Sequence, residues 1–281
     1  MDPTRPRASA DRAPAICTIG DLLLDVVVLP DRPLTSDADT PATIRFVAGG
    51  QAANVAAWAS VLGARSRLIC KRGSDLSTQL AVAELARCGV EICGPVVEGR
   101  SGVVVSIRDG HGRRTMASDR GVAAQLEPAE LDPSWVRSYD ALHVSGYCLL
   151  RDAMAEAAIE ASRLAPRVSV DLASARDIET FGAARFAERL RALNPSLVFA
   201  TEAEQAAVAG FEASWAWVVK LGARGARFPE GFYPAPSVAV VDTTGAGDAL
   251  AAGYLVGGPK RAIETAARCV GLVGAMPVPE S

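Results

Sequence analysis

Short runs rich in valine, isoleucine and leucine alternate along the chain with longer alanine-rich stretches whose apolar spacing is typical of helices. The short runs predict strands at Ala15–Ile19, Ser66–Cys70, Ala141–Val144, Val168–Asp171, Leu197–Ala200 and Trp217–Leu221. The alanine-rich stretches predict helices at Ala52–Leu62, Thr78–Cys88, Ala153–Leu164, Ala184–Ala192, Glu202–Ala209, Asp248–Val256 and Arg261–Val270. Because this alternation is typical of βαβ units, we expect an α/β fold with a mostly parallel central sheet flanked by helices on both faces.

Two regions break the alternation, because their strand-like runs have no helix between them: Leu24–Val47 and Val96–Met116. The second region contains Gly102–Ile107, the turn sequence Asp109-Gly110-His111-Gly112 and then Arg113–Ala117, which together predict a β-hairpin. We expect the strands around 24–47 and 96–117 to form a small accessory sheet that acts as a lid over a site at the edge of the main sheet.

Composition then narrows the class of protein. The chain has 281 residues, of which 49% are hydrophobic and only 5% aromatic, so the core is built from Ala, Val and Leu. A net charge of −3 argues against a nucleic-acid partner, and the lack of a spanning apolar stretch argues against a membrane partner. Met1–Pro14 lacks an apolar core and is expected to be a flexible tail before a single domain over 15–281. Six cysteines without a C-x-x-C pair favour a reducing cytoplasm.

The segment Asp242-Thr243-Thr244-Gly245-Ala246-Gly247-Asp248 carries the clearest chemical signal. Gly245, Ala246 and Gly247 have small side chains or none, so their amides can approach an anion at the start of the helix that follows. Asp248 would repel that anion unless the carboxylate serves to accept a proton. This combination suits phosphoryl transfer to a hydroxyl group, and an ordinary helix capped by aspartate is the alternative.

This segment resembles the C-terminal signature of the ribokinase-like (PfkB) family of carbohydrate and nucleoside kinases. The resemblance implies a ribokinase-like three-layer sandwich, with ATP as co-substrate and Mg²⁺ as cofactor. It also implies that Asp248 is the catalytic base and that Gly245, Ala246 and Gly247 form an anion hole.

A second segment, Ala48-Gly49-Gly50-Gln51-Ala52-Ala53-Asn54, resembles the N-terminal glycine signature of the same family. Gly49 and Gly50 permit close approach of the backbone to a ligand, and Asn54 offers donors and an acceptor to sugar hydroxyls. By resemblance, Gly50 and Asn54 contact the phosphoryl acceptor, and Asp25, after the first strand, accepts hydrogen bonds from its hydroxyl groups. Taken alone, the two glycines would indicate only tight packing of a helix on a sheet.

Two weaker matches concern the nucleotide. Thr201-Glu202-Ala203-Glu204 matches the family's Asn-x-x-Glu element, in which the glutamate organises magnesium through water. Lys220-Leu221-Gly222-Ala223-Arg224-Gly225 matches a turn that lines the nucleotide, which implies contacts from Thr201, Lys220, Gly222 and Gly225. The alternatives are a solvated helix face for Glu204 and a plain β-turn for the second segment.

The departures from the family pattern are equally informative. Leu23 and Gln51 stand where ribokinases proper carry asparagine and lysine, which argues against simple D-ribose as the acceptor. Asp242 and Thr244 match one half of the family's monovalent-cation site, so a K⁺ requirement is left open. Ala262–Pro279 looks shortened where the family builds its adenine pocket.

The leading hypothesis is an ATP-dependent kinase that phosphorylates a hydroxyl group of a small sugar or ribonucleoside, with pseudouridine among the candidates. A fructokinase-like or ketodeoxygluconate kinase-like enzyme fits comparably, and a non-catalytic sensor on the same scaffold is the alternative of another class. Neutral acceptors suit Asp25, whereas Arg120 keeps acidic sugars open, although an exposed arginine in a turn is its simpler interpretation. We also expect a homodimer through the lid sheets.

Overall fold

The computed structural model describes residues 12–108, 114–211 and 214–278. Most of the expected tail Met1–Pro14 and the expected turn Asp109-Gly110-His111-Gly112 lie outside the described residues. The described strands are β1 (Ala15–Ile19), β2 (Leu23–Pro30), β3 (Ala42–Gly49), β4 (Arg65–Ile69), β5 (Glu91–Cys93), β6 (Ser101–Arg108), β7 (Arg114–Gly121), β8 (Ala141–Ser145), β9 (Val168–Asp171), β10 (Leu197–Thr201), β11 (Ala216–Lys220), β12 (Ala226–Phe228) and β13 (Gly231–Tyr233). The described α-helices are α1 (Gln51–Val61), α2 (Leu76–Arg87), α3 (Ser134–Arg137), α4 (Asp152–Ser162), α5 (Ala175–Phe181), α6 (Ala183–Leu193), α7 (Glu202–Ala207) and α8 (Ala246–Val270).

Nine strands form the larger sheet in the order β13-β12-β11-β10-β9-β8-β1-β4-β5. All neighbours from β11 to β5 run parallel, and only β12 and β13 are antiparallel to their neighbours. The expectation of a mostly parallel sheet is therefore confirmed, and all six predicted strands belong to it.

Helices cover both faces of this sheet, because alternate residues of the central strands point into two different cores. In β10, Val198 and Ala200 face a core that includes Phe186 of α6, whereas Phe199 faces a core that includes Trp58 of α1. The first core also contains α4, and the second also contains α8. This three-layer arrangement explains why the strands read as continuous apolar runs in the sequence.

The smaller sheet contains four strands in the order β3-β2-β6-β7. Strand β2 pairs antiparallel with β3 and parallel with β6, and β7 completes a hairpin with β6. These strands occupy the two regions that interrupt the βα alternation of the sequence. Ile44, Phe46 and Met116 are more than half exposed on this sheet.

Helix α8 runs from Ala246 to Val270, but Gly257 and Gly258 inside it have non-helical backbone angles and Pro259 follows them. Proline and glycine interrupt helices, so α8 consists of two segments, as the sequence predicts.

Three neighbouring parallel strands end at the same edge of the larger sheet: β9 ends at Asp171, β10 at Thr201 and β11 at Lys220. Ligands of parallel α/β sheets bind at this carboxyl edge.

Within the described ranges, no helix combines the length and the hydropathy needed to cross a bilayer.

Candidate active site

Asp248 and Asn54 bring the two sequence motifs together. Asn54 lies in the first turn of α1 and Asp248 in the first turn of α8. The Nδ2 atom of Asn54 donates a hydrogen bond of 2.6 Å to Oδ2 of Asp248, although 194 residues separate the two in sequence. The expected base and an expected acceptor-binding residue therefore share one site.

The start of α8 forms the turn that we expected to bind an anion. Gly245 has a left-handed backbone with φ of 75°, and a Cβ atom there would lie 2.4 Å from the Cβ of Ala275, so this position requires glycine. The amides of Gly247 and Asp248 belong to the first helical turn, which has no intrahelical partners for its N–H groups. The Ala246 amide donates a long bond of 3.4 Å to the carbonyl of Thr243 and is therefore partly engaged.

Hydrogen bonds to residues near the end of the described chain stabilise this turn. Asp242 is buried, and its Oδ1 accepts hydrogen bonds from the amide and hydroxyl of Thr244 at 2.9 and 2.7 Å. Its Oδ2 accepts one from the Gly274 amide at 3.1 Å. Trp58 of α1 donates to the Ala275 carbonyl at 2.8 Å. The turn, α1 and the segment around 275 thus form one hydrogen-bonded unit.

The electrostatic setting of Asp248 suits a general base. Burial raises its pKa from 3.8 to about 7, and the nearby carboxylate of Asp171 acts in the same direction. The Asn54 hydrogen bond and the Lys220 ammonium group oppose this rise, and Asp25 adds to it. A carboxylate with a pKa near neutrality can accept a proton efficiently at physiological pH.

On one side of Asp248 lie the residues expected to bind the acceptor. Gly50 has φ of 103°, and a Cβ atom there would lie 2.2 Å from the Asp21 carbonyl oxygen, so only glycine fits. Gly49 lies directly against the Asp25 carboxylate. Burial and the neighbouring Asp21 raise the Asp25 pKa to about 7. Within the described ranges, the buried Oδ1 of Asn54 has no hydrogen-bond partner, which leaves it available to a hydroxyl donor.

A cavity of about 610 Å³ is lined by Asp21, Arg120, Tyr147, Arg151, Asp177 and Phe181, among others, and Asp21 connects it to the loop at Gly50. The expected site residues Asp25, Gly49, Gly50, Asn54 and Asp248 are not among those that line this cavity. The interpretation of Arg120 as an exposed arginine in a turn is wrong. Arg120 belongs to β7, forms an ion pair with Asp21, and stacks 4.5 Å above the Tyr147 ring. The pairing of β7 with β6 carries its side chain to the inner end of the small sheet, where only 25% of it is exposed.

On the other side, a cavity of about 640 Å³ is lined by all four residues expected to contact the nucleotide: Thr201, Lys220, Gly222 and Gly225. Thr243, Ala246 and Gly247 of the anion-binding turn line the same cavity. Its apolar wall comes from Val238 and Val240 and from Ile263, Ala266 and Ala267 in the second segment of α8. The residues after 262, which look shortened in the sequence, therefore still supply an apolar surface of the kind that a nucleobase contacts.

Lys220 connects this cavity to two carboxylates. Its Nζ lies 2.6 Å from Oδ1 of Asp171 and 4.0 Å from Oε2 of Glu204, and it also lies beside Gly247. Burial alone would lower the Lys220 pKa, but Asp171 and Glu204 more than offset that effect, so the pKa is raised and the ammonium stays charged. A fixed positive charge thus stands next to the anion-binding turn.

Glu204 has a structural role in addition to the one expected. Its Oε2 accepts a hydrogen bond of 2.8 Å from the Thr201 amide, while Thr201 Oγ1 accepts one of 3.2 Å from the Glu204 amide. This reciprocal pair is a capping box that starts α7.

The residues present fit a magnesium ion held mainly by nucleotide and water. In the part of the chain that the structure describes, no three His, Cys, Asp or Glu side chains converge as a cage. Magnesium in phosphate-binding sites keeps several waters and uses one or two carboxylates. Asp171 has a buried Oδ2 without a hydrogen-bond partner within the described ranges, and the Glu204 carboxylate also lies near the Lys220 ammonium group.

Comparison with known proteins identifies the family. Residues 13–278 match the model of a family described as pfkB family carbohydrate kinase. The chain belongs to the PfkB family. A protein of Halopiger xanaduensis named ATP-dependent ribose-1-phosphate kinase is 32% identical over 276 residues, which cover 90% of each chain. A 2-dehydro-3-deoxygluconokinase of Thermoproteus tenax is 30% identical, over 95% of this chain and 92% of that protein.

The solved structure of an adenosine kinase from Sinorhizobium meliloti has a TM-score of 0.82 and 22% identity, over 95% of this chain and 97% of that one. The ribokinase-like fold and the PfkB family expected from the two signatures are therefore confirmed. The protein is an ATP-dependent kinase of the sugar and nucleoside kinase class.

Sequence reasoning missed the contacts of three polar residues in this PfkB site. Asp171 ends a predicted strand at the carboxyl edge of the sheet, and that position is a signal that could have found it. Gln51 accepts hydrogen bonds from the Ser145 hydroxyl and the Gly146 amide, which ties α1 to the end of β8. Asp21 has no local signal for its ion pair, because its partner Arg120 is 99 residues away.

Proposed function

We propose that this kinase transfers the γ-phosphoryl group of ATP to a hydroxyl group of a small sugar or ribonucleoside, with Asp248 as the general base. The observation that supports this most strongly is the 2.6 Å contact between Asp248 and Asn54. In support, Asp248, with a pKa of about 7, lies in the first turn of α8, whose residues Ala246 and Gly247 line the nucleotide-side cavity. Its partner Asn54 lies in the first turn of α1, directly after Gly50.

In this mechanism, Asn54 and Asp25 orient the acceptor so that one hydroxyl oxygen faces the phosphorus atom. The new O–P bond forms as the bond from phosphorus to the β–γ bridging oxygen breaks, and the hydroxyl proton passes to Asp248. Amides at the start of α8 and the Lys220 ammonium hold the charge that develops on the phosphoryl oxygens. Glu204 and Asp171 would hold Mg²⁺ through water, and the ion would supply positive charge to neutralise the phosphates.

A specific observation also favours an acidic sugar as a second candidate. Arg120 and Arg151 line the acceptor cavity, so an anionic group on the acceptor could replace Asp21 as the partner of Arg120. The relatives named for ribose 1-phosphate and 2-dehydro-3-deoxygluconate act, by those names, on anionic sugars. Three aspartates line the same cavity, Asp21, Asp119 and Asp177, which favours neutral sugars and nucleosides such as fructose or pseudouridine.

The experiment is a measurement of ADP release from ATP and Mg²⁺ with a panel of acceptors. The panel contains fructose, adenosine, pseudouridine, ribose 1-phosphate and 2-dehydro-3-deoxygluconate, and each phosphorylated product is identified by mass spectrometry and NMR. We expect turnover with at least one sugar or nucleoside, and turnover confined to the two anions would select the acidic class. Ligand binding without turnover of any acceptor would favour the sensor and refute the kinase assignment of this site.

We further propose a homodimer formed through the small sheet, which we take to be a lid over the acceptor cavity. The support is the exposed apolar surface of its two edge strands, where Ile44 is 54% and Phe46 and Met116 are each 59% exposed. A reducing cytoplasm is the proposed location, supported by six cysteines that are all free thiols, five of them buried.

A further inference from the structure

Asp242, which matches one half of the family's monovalent-cation site, accepts hydrogen bonds from the protein on both carboxylate oxygens. Oδ1 of Asp242 accepts two bonds from Thr244, and Oδ2 accepts one from Gly274. These bonds hold the segment immediately before Gly245 in place. The carboxylate therefore serves as a brace for the anion-binding turn.

A positively charged side chain stands beside this brace. Arg108, the last residue of β6, donates a hydrogen bond of 2.9 Å from Nη2 to the carbonyl of Val241. Its Nη1 lies 3.6 Å from Oδ2 of Asp242. Only 18% of the Arg108 side chain and 3% of the Asp242 side chain are exposed, so the pair is shielded from bulk water and from screening by salt.

These contacts do not fit a monovalent metal ion at Asp242. Such an ion needs carbonyl and carboxylate oxygens with lone pairs turned toward it. The guanidinium group occupies one lone pair of the Val241 carbonyl and places its positive charge 3.6 Å from Oδ2 of the carboxylate. A second cation in contact with the same two oxygens would also be repelled by the arginine.

We propose that Arg108 is the built-in cation of the anion-binding turn, so that phosphoryl transfer does not depend on K⁺. Arg108 touches neither substrate nor reacting atoms in this arrangement, and it acts as a positioning residue through Val241 and Asp242. The proposal rests on the proposed function, because it concerns the turn that binds the transferred group.

Arg108 belongs to strand β6 of the small sheet, whereas the turn that it contacts belongs to the larger part of the fold. At the other end of β6, Gly102 pairs with Leu23, two residues before Asp25. A movement of the sheet on the acceptor would therefore change the position of the guanidinium at the turn.

The experiment compares wild-type protein with Arg108→Gln, Arg108→Lys and Arg45→Gln in K⁺, Na⁺ and tetramethylammonium buffers. Arg45 is an exposed arginine on β3 of the same sheet, so its variant is the matched control. Wild type and R45Q should keep their rates within about twofold in all three buffers, whereas R108Q should lose about 10- to 100-fold in kcat. R108K should recover most of that loss, and K⁺ or added guanidinium should partly restore R108Q.

Thermal unfolding provides a readout that does not require turnover. Wild-type Tm should be the same in K⁺ and in tetramethylammonium, while R108Q should gain stability specifically in K⁺, since the vacated site can then bind the ion. If no acceptor is phosphorylated, the proposed function fails, but this comparison still tests Arg108. The proposal is overturned if K⁺ raises the wild-type rate or wild-type Tm specifically, or if R108Q behaves like R45Q.

Discussion

Replacement of Asp248 by asparagine separates the chemical role of this side chain from its structural role. Asparagine has nearly the same shape, and its Oδ1 can still accept the hydrogen bond that Asn54 donates across 2.6 Å. The variant therefore keeps the contact between α1 and α8 but has no group that can take the acceptor proton. We expect kcat to fall by about 10²–10⁴, which corresponds to about 3–5 kcal/mol of barrier.

The same change should make the folded protein more stable, which a purely structural residue would not do. The folded-state pKa of Asp248 is raised from 3.8 to about 7, so the ionised carboxylate opposes folding. This penalty grows as pH rises from about 4 and is complete above pH 7, where it is on the order of 2–4 kcal/mol. We expect Asp248→Asn to raise Tm by several degrees at pH 8 and by clearly less at pH 5.

Both effects can be measured on one preparation. Steady-state ADP release gives kcat, calorimetry gives the affinity for ATP, and thermal unfolding at pH 5 and pH 8 gives the change in stability. Asp132→Asn is the control, because Asp132 is an exposed carboxylate that accepts a hydrogen bond from the Ser134 amide at 2.8 Å. Retention of kcat within about tenfold would remove Asp248 from the role of base, and a lower Tm at pH 8 would refute the electrostatic reasoning.

Three other predictions address the rest of the site. The kcat/KM value should rise about tenfold per pH unit up to about pH 7 and then level off, because Asp248 must be ionised to accept a proton. A flat pH profile of kcat/KM between pH 5.5 and 8 would contradict this prediction. Asn54→Ala and Asp25→Ala should each raise the KM for the acceptor about tenfold or more and leave the KM for ATP nearly unchanged, because each removes a hydrogen bond to a hydroxyl group. An unchanged acceptor KM in both variants would contradict the assignment of these residues to the acceptor. Phe46→Glu should convert the proposed dimer to a monomer in sedimentation experiments without unfolding the chain, because Phe46 is 59% exposed. Wild-type protein that sediments as a monomer at micromolar concentration would refute the dimer.

The main elements of the fold were predictable because their strands are buried on both faces. β1 and β9 have the bounds expected from the sequence, and every residue of both strands is buried. β12 and β13 were missed because each has only three residues and they exist only through antiparallel pairing beyond β11. Helix α5 was missed although Ser174 caps it by accepting a hydrogen bond from the Asp177 amide, a local signal that the sequence does contain.

The candidate site was predictable in its residues but not in its long-range ion pairs. The glycine turn at Gly245 and the Gly50 loop each have a local backbone requirement, which makes them visible in the sequence. Arg108 and Arg120 carry no such requirement, because their roles depend on how the small sheet lies against Asp242 and Asp21. Pattern and spacing within one segment cannot reveal contacts made between segments more than 90 residues apart.

The segment around Ala275 supports the anion-binding turn, and this has a consequence for protein synthesis. Gly245 packs on Ala275, Asp242 binds Gly274, and Trp58 binds the Ala275 carbonyl. A nascent chain that has emerged from the ribosome only as far as residue 270 would contain every proposed catalytic group but would lack the residues that support the anion-binding turn. A premature stop codon just before this segment should therefore produce an inactive polypeptide.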